Sequence, residues 1–330
     1  MPPALSTRRL GASSLDVTSI GLGCMSLSGV YGAVSDEDGI AVVHAALDAG
    51  VNFLDSADMY GWGQNESVLG RALKGRRQGV VLATKFGQVR QESGGNGVDG
   101  RPEYVKAACE ASLKRLDTEV IDLYYIHRID PKVAIEETVG AMADLVTAGK
   151  VRYLALCEAN PATIRRAHKV HPLAAVQTEY SLLYREEAED TLATTRELGI
   201  SFVAYSPLGR SMLTGAVHDV ADVANDRRRD HPRFAAENLE RNRKLVAALE
   251  TMAADKGCTP GQVALAWVLA QGPDVVAIPG TKRVARVSEN IAAQKVILSA
   301  ADLAQLSQAF PRGAAAGTRY PSGQMKTVFI

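Results

Sequence analysis

The stretch Phe53-Leu54-Asp55-Ser56-Ala57-Asp58-Met59-Tyr60 decides how this chain reads. A short apolar run ends on a carboxylate, and a phenol follows five positions later, the pattern of a buried strand whose end is furnished for chemistry. Two later runs stop in the same way: Val80 to Thr84 leads into Lys85, and Ile121 to Ile126 leads into His127. A parallel barrel gathers the C-terminal ends of its strands on one face, so Asp55, Tyr60, Lys85 and His127 are expected to meet there although far apart in sequence.

The flanking chain supports that reading. Arg8 to Val17 has two apolar-containing arms around Gly11-Ala12-Ser13-Ser14 and reads as a small hairpin plugging one end of the barrel. Ile20 to Met25 reads as a first strand whose glycines admit close backbone approach, and Ser35 with Asp38 caps a helix running to Gly50. Asn65 is expected to cap a helix to Gly75, Pro102 to open one to Leu116, and Asn160-Pro161 to open another. Strands are expected at 80–84, 121–126, 151–156, 174–178, 201–205 and 275–278. Thr259-Pro260 with Gln262 caps a helix before the last of these. Eight strands alternating with helices predict an α/β fold of the closed (β/α)8 type over 1–330 as one domain, with extra C-terminal helices at 282–293 and 300–309 and a Gly/Ala-rich tail at 311–330. Two stretches are long for barrel loops: Gln88 to Gly100, and the insertion at about 210–237 containing Arg227-Arg228-Arg229. Each reads either as ligand-contacting or as plain surface.

Composition narrows the class. The 330 residues are 46% hydrophobic, enough for a full core, and 37 basic residues balance 37 acidic ones. No net field favours nucleic acid or an anionic membrane, and no apolar run is long enough to span a bilayer, so a cytoplasmic protein acting on a small molecule is expected. Cys24, Cys109, Cys157 and Cys258 are widely spaced and suit reduced thiols, not a disulfide framework or a zinc site. No metal ligand set is read from the histidines, and oligomeric state is left open.

Five strings, DSADMYGWGQNE, ATKFG, YYIHR, AYSPLGR and IPGTKRVARVSEN, occur in this order over about 20–310, and through them the chain resembles the aldo-keto reductases. The resemblance implies an NADPH-dependent carbonyl reductase with Asp55, Tyr60, Lys85 and His127 as its tetrad. In that reading Tyr60 donates the proton to the nascent alkoxide, Lys85 eases its release and Asp55 orients Lys85. His127 either donates a hydrogen bond to the carbonyl or joins a proton relay. The cofactor side is implied at Gly23, Cys24 and Met25 at the end of the first strand, and at Cys157, Glu158 and Gln177 around the nicotinamide carboxamide. Tyr205 stacks on the ring, and Ser206, Pro207, Leu208, Gly209, Arg210 and Ser211 run along the pyrophosphate. Gly280, Thr281, Lys282, Arg286, Glu289 and Asn290 hold the adenosine end, Lys282 and Arg286 on the 2′-phosphate. Tyr31, Trp62 and Arg128 are candidate substrate contacts.

The chain departs from the family pattern at three places. Ala155 and Cys157 stand where glycine and serine are usual, which points to a looser cofactor grip or an oxidation-sensitive thiol, and Ser211 stands at a common glycine position. Other readings of the same residues are a nicotinamide-binding regulatory subunit with slow turnover, an alcohol dehydrogenase working oxidatively, and a metal-dependent barrel hydrolase using Asp55 and His127.

Overall fold

Parallel strands covered on both faces must be apolar at nearly every position. The computed structural model, which describes residues 5–91 and 95–330, shows this outcome. Eight parallel strands run β1 (Leu22–Gly23), β2 (Phe53–Asp55), β3 (Val81–Phe86), β4 (Ile121–Ile126), β5 (Val151–Cys157), β6 (Leu173–Glu179), β7 (Ser201–Tyr205) and β8 (Val275–Ile278). They pair in chain order from β1 to β8, and β3 and β4 are buried at every residue. Parallel bridges from Ile20 to Ala277 and from Gly23 to Gly280 close the ring. Gly23 is required there: a Cβ would lie 2.6 Å from the Ile278 carbonyl oxygen.

The helices take their positions between strands. They run α1 (Asp36–Asp48), α2 (Gln64–Leu73), α3 (Pro102–Leu116), α4 (Ile135–Thr147), α5 (Pro161–Val170), α6 (Glu186–Glu197), α7 (Ala236–Asp255), α8 (Pro260–Leu269), α9 (Val284–Ala292), α10 (Ala300–Ala309) and the short α11 (Ser322–Met325). Their starts follow the capping chemistry: Ser35 accepts from the Asp38 amide, Asn160 from Thr163, and Thr259 forms a reciprocal box with Gln262. Asn65 does not cap α2. The chain before it curls through left-handed Gly61, Trp62 and Gly63, so the helix begins at Gln64 and its N-cap is Gly63. Asn65 instead lies fully buried. Its Nδ2 donates to the Cys24 carbonyl and the Ser28 hydroxyl, both at 2.8 Å, and its Oδ1 accepts from Ser56 at 2.7 Å, bracing the first two strand ends against each other.

The antiparallel hairpin of Thr7–Arg9 and Asp16–Thr18 plugs the N-terminal end, packing Leu10, Leu15 and Val17 against the barrel interior. The glycine-rich stretch after β3 is a second hairpin, Gln88–Arg90 with Asn96–Val98. Residues 92–94, within the Gln88–Gly100 loop, and residues 1–4 lie outside the described residues.

Candidate active site

Three strand ends and one loop bring the four chemical side chains together. Lys85, on β3, is wholly buried, and its Nζ donates to the Asp55 carboxylate of β2 and, at 2.6 Å, to the Ser56 carbonyl. Gln177 of β6 donates to the other Asp55 oxygen at 2.8 Å. Tyr60 begins the turn after β2; Lys85 Nζ lies 5.2 Å from its ring centroid, and the His127 imidazole meets it edge-on at 5.7 Å and 84°. The four groups therefore form one contiguous site at the barrel mouth.

Burial and charge set their protonation. Burial pushes the Asp55 carboxyl up against the opposing pull of Lys85, whereas at Lys85 the cost of burial is overcome chiefly by the Asp55 charge. The contacts are those of an ionised pair: both Asp55 oxygens accept, and a protonated carboxyl would place a donor against donors. The expectation that Lys85 lowers the Tyr60 pKa is only partly met. Burial raises the phenol above its ordinary value, and Lys85 offsets this incompletely, so the hydroxyl is held protonated. Burial, Arg128 and Lys85 all drive His127 well below the usual imidazole range. A neutral imidazole favours the hydrogen-bond-donor role over a charged relay. Its Nδ1 is buried with no hydrogen-bond partner among the described residues.

Asp58, between Asp55 and Tyr60, carries a pH signature. It is half-buried overall, but its Oδ1 is sequestered without a partner. Burial, reinforced by Glu66, raises the carboxyl to about 7. As pH rises from the ordinary carboxylate value toward 7, the unfolded chain releases this proton while the folded chain keeps it. Stability is therefore expected to fall across that window and level off above it. Asp58→Asn is expected to remove the slope and raise stability at pH 8 by about 2 kcal/mol. Urea unfolding of both proteins at pH 5 and pH 8 tests this, and parallel slopes would refute it.

Beside the tetrad lies a buried charge network that the sequence did not suggest. Glu158 follows β5 in left-handed backbone, φ 57°, and its carboxylate is fully subscribed. Arg319 grips it through two hydrogen bonds of 2.6 Å. Tyr205 and the Glu179 amide donate to its Oε1 at 2.7 and 3.0 Å. Glu179 in turn pairs with Arg210 and Arg233. Tyr320 meets the Tyr205 hydroxyl at 3.0 Å, and the Phe329 amide donates to the Glu158 carbonyl at 2.8 Å. The tail at 311–330 is thus built into the mouth. As described, Glu158, Tyr205 and Arg210 turn their polar atoms to this network and not to open space. Arg319, Tyr320, Glu179 and Arg233 were missed. Only the Arg319-Tyr320 pair, standing out in a tail of small residues, was a signal.

The remaining cofactor-side residues are more open. Ser206, Gly209, Arg210 and Ser211 all have positive φ, and the Gly209 amide closes a turn onto the Ser206 carbonyl at 2.9 Å. Ser211, at φ 75°, occupies the left-handed region that favours glycine, so serine holds a strained backbone there. Lys282 Nζ donates to the Tyr31 carbonyl at 2.7 Å, and Arg286 pairs with Glu289 just inside α9. Asn290 is buried, and Thr281 caps the approach by accepting from the Arg283 amide at 3.0 Å. Cys24 and Cys157 are buried thiols pushed up by burial to about 12 and about 11, so Cys157 is not a reactive thiolate here. Gly280 sits in the closing bridge, and Met25 opens a 3-10 turn. Trp62 lies at the rim, stacked by Arg90 at 4.6 Å, and Tyr31 lies 5.5 Å from the Arg228 guanidinium. The Arg-rich insertion therefore walls the mouth: Arg228 packs on Tyr31, Arg233 pairs with Glu179, and His231 bonds the Arg319 carbonyl at 2.9 Å.

Among the described residues, no group of three or more His, Cys, Asp or Glu is placed to hold a metal ion, and no helix is long and apolar enough to cross a membrane.

Comparison with known proteins places this site in context. The sequence model of the Aldo/keto reductase family matches residues 19–310. A protein of Glycine max described as probable aldo-keto reductase 1 is 47% identical over 319 residues, covering 96% of this chain and 92% of that protein. Among solved structures, a glycerol dehydrogenase from Gluconobacter oxydans superposes with a TM-score of 0.84 at 30% identity, covering 92% of this chain and 94% of its own. The holo form of an aldo-keto reductase from Bacillus halodurans gives 0.79 at 29% identity, covering 96% and 99%.

Proposed function

Because this chain belongs to the aldo/keto reductase family, an oxidoreductase family, we propose that it is an NADPH-dependent reductase of small aldehydes or ketones, built as one barrel domain and working in the cytoplasm. The observation that carries the reading is the buried Asp55–Lys85 ion pair set beneath the Tyr60 ring, with the neutral His127 edge against the same ring. NADPH, when bound, supplies the hydride. His127 donates a hydrogen bond to the substrate oxygen and fixes it beside the phenol. Tyr60 gives its proton to that oxygen as negative charge develops, and Lys85, held ionised by Asp55, stabilises the phenolate left behind. The approach to α9 suits a dinucleotide's phosphate because Lys282 there has no ion-pair partner among the described residues, and the positive-φ loop 206–211 would run along the pyrophosphate.

Among the described residues Lys282 Nζ donates to the Tyr31 carbonyl and makes no ion pair, so its charge is available for a 2′-phosphate. Lys282→Met is expected to weaken NADPH about tenfold or more while changing NADH little, since a charge-assisted contact is lost only for the phosphorylated cofactor. Fluorescence titration with both cofactors tests this; equal losses would remove the 2′-phosphate assignment. The reading as a whole is tested by following NADPH absorbance with a panel of aldehydes and ketones. Tight NADPH binding without turnover would favour a cofactor-sensing role. Four free cysteines suit a reducing compartment.

A further inference from the structure

The mouth of the barrel holds more buried cations than anions. Arg128, Arg210, Arg233 and Arg319 are each less than a tenth exposed, and so are Glu158 and Glu179, the two carboxylates they surround. Arg210 and Arg233 are paired with Glu179, and Arg319 with Glu158. Arg128 makes no ion pair among the described residues. Its Nη1 donates to the His127 carbonyl at 2.7 Å and to the Cys157 sulfur at 3.5 Å. Its Nε and Nη2 have no protein acceptor among the described residues, yet they are not among the sealed, unpartnered atoms, so both keep contact with solvent. Tyr320 supplies an aromatic wall 6.0 Å away.

A buried guanidinium is costly unless an anion or several acceptors complete it. Here the uncompleted edge belongs to the residue next to His127, and the first hydrogen bond folds it back on the His127 carbonyl. The Arg128 charge also acts on both the His127 imidazole and the Tyr60 phenol, which puts it near the point where those two groups would meet a substrate oxygen. Arginine is also suited to the task, because its planar fork matches a carboxylate through two parallel hydrogen bonds.

From this we infer that Arg128 is a specificity-determining residue that binds a carboxylate on the substrate, so that the preferred substrates are short oxo acids whose carboxylate lies within a few bonds of the carbonyl. The inference rests on the reductase reading and names its substrate class. Arg128 takes no part in bond making: the carboxylate is held by the fork and leaves unchanged on the hydroxy acid.

The test compares 2-oxobutanoate with its methyl ester, whose ketone is at least as electrophilic but carries no charge. The wild-type protein is expected to show kcat/KM at least tenfold higher for the acid, the scale of one charge-assisted hydrogen-bond pair. Arg128→Gln is expected to lower kcat/KM for the acid at least tenfold more than for the ester, with the loss in KM. Arg128→Lys should keep part of the preference. A readout free of turnover is calorimetric binding of 2-hydroxybutanoate to the NADP+-loaded protein, which Arg128→Gln should abolish. Equal use of acid and ester by the wild-type protein would overturn the inference even if Arg128→Gln failed to fold. A variant whose NADPH affinity falls in step with its activity on the acid would also overturn it, because Arg128 would then serve the cofactor. Absence of NADPH-dependent reduction of any carbonyl by the wild-type protein is a separate failure, that of the reductase reading itself.

Discussion

Tyr60→Phe is expected to lower kcat about a thousandfold, within the range that a positioned proton donor contributes, while NADPH affinity stays within about threefold of wild type. The substitution removes one oxygen and keeps the ring. That ring makes the edge contact with His127 at 5.7 Å and lies 5.2 Å from Lys85 Nζ, so the site should keep its shape. Without the hydroxyl, the alkoxide formed on hydride delivery has no acid in reach that can give it a proton. Lys85 is tied to Asp55 and the Ser56 carbonyl, and His127 is neutral. Both kcat and kcat/KM should fall together, because the lost interaction exists only as charge develops. Single-turnover absorbance with saturating cofactor, beside a fluorescence titration of NADPH, measures both quantities. Undiminished turnover would move the acid elsewhere, and lost cofactor binding would make Tyr60 a structural residue.

Most of the scaffold was legible in the sequence because each element carried its own local instruction. The runs 121–126 and 201–205 are strands at those bounds, and Pro102 opens a helix ending at Leu116. Apolar continuity and proline at a helix start need no knowledge of distant neighbours. The convergence of Asp55, Tyr60, Lys85 and His127 was legible for a related reason: parallel strands that end on ionisable residues have one face on which to present them. Misreadings arose where distant contact outweighs local signal. Asn65 has a capping residue's chemistry, but the left-handed turn through Gly61 to Gly63 moved the helix start and released its side chain to brace the first two strand ends. Lys85 was read as lowering the Tyr60 pKa, and only the folded structure shows that burial is the larger effect. Arg319 and Glu158 stand 161 residues apart, and no periodicity in either segment encodes their pairing.

That pair carries the largest expected stability effect. Burial alone would raise the Glu158 carboxyl, yet the Arg319 guanidinium overrides it and holds the group below the ordinary carboxylate range. Both side chains are at most 1% exposed, so solvent screening is weak and loss of one partner strands a charge. Arg319→Met is therefore expected to cost about 3–5 kcal/mol at neutral pH. The double variant Glu158→Gln/Arg319→Met should recover a substantial part of that loss, because it removes the stranded charge as well as its partner. The pH dependence separates this cause from lost packing. A carboxylate with a depressed folded pKa contributes stability above its unfolded value, and that contribution disappears as pH falls through the folded value. The deficit of Arg319→Met should accordingly be greatest at pH 7 and shrink toward pH 4, where Glu158 in the variant takes up a proton and no longer needs a counter-ion. Glu158 is also held by the Phe329 amide, so release of the side chain should loosen the end of the tail. Limited proteolysis should then cut beyond residue 311 sooner in the single variant than in the wild type. A deficit that stays constant between pH 4 and pH 7 would assign the loss to packing of the Arg319 stem against Tyr184, whose ring lies 4.3 Å from its guanidinium, instead of to the stranded carboxylate.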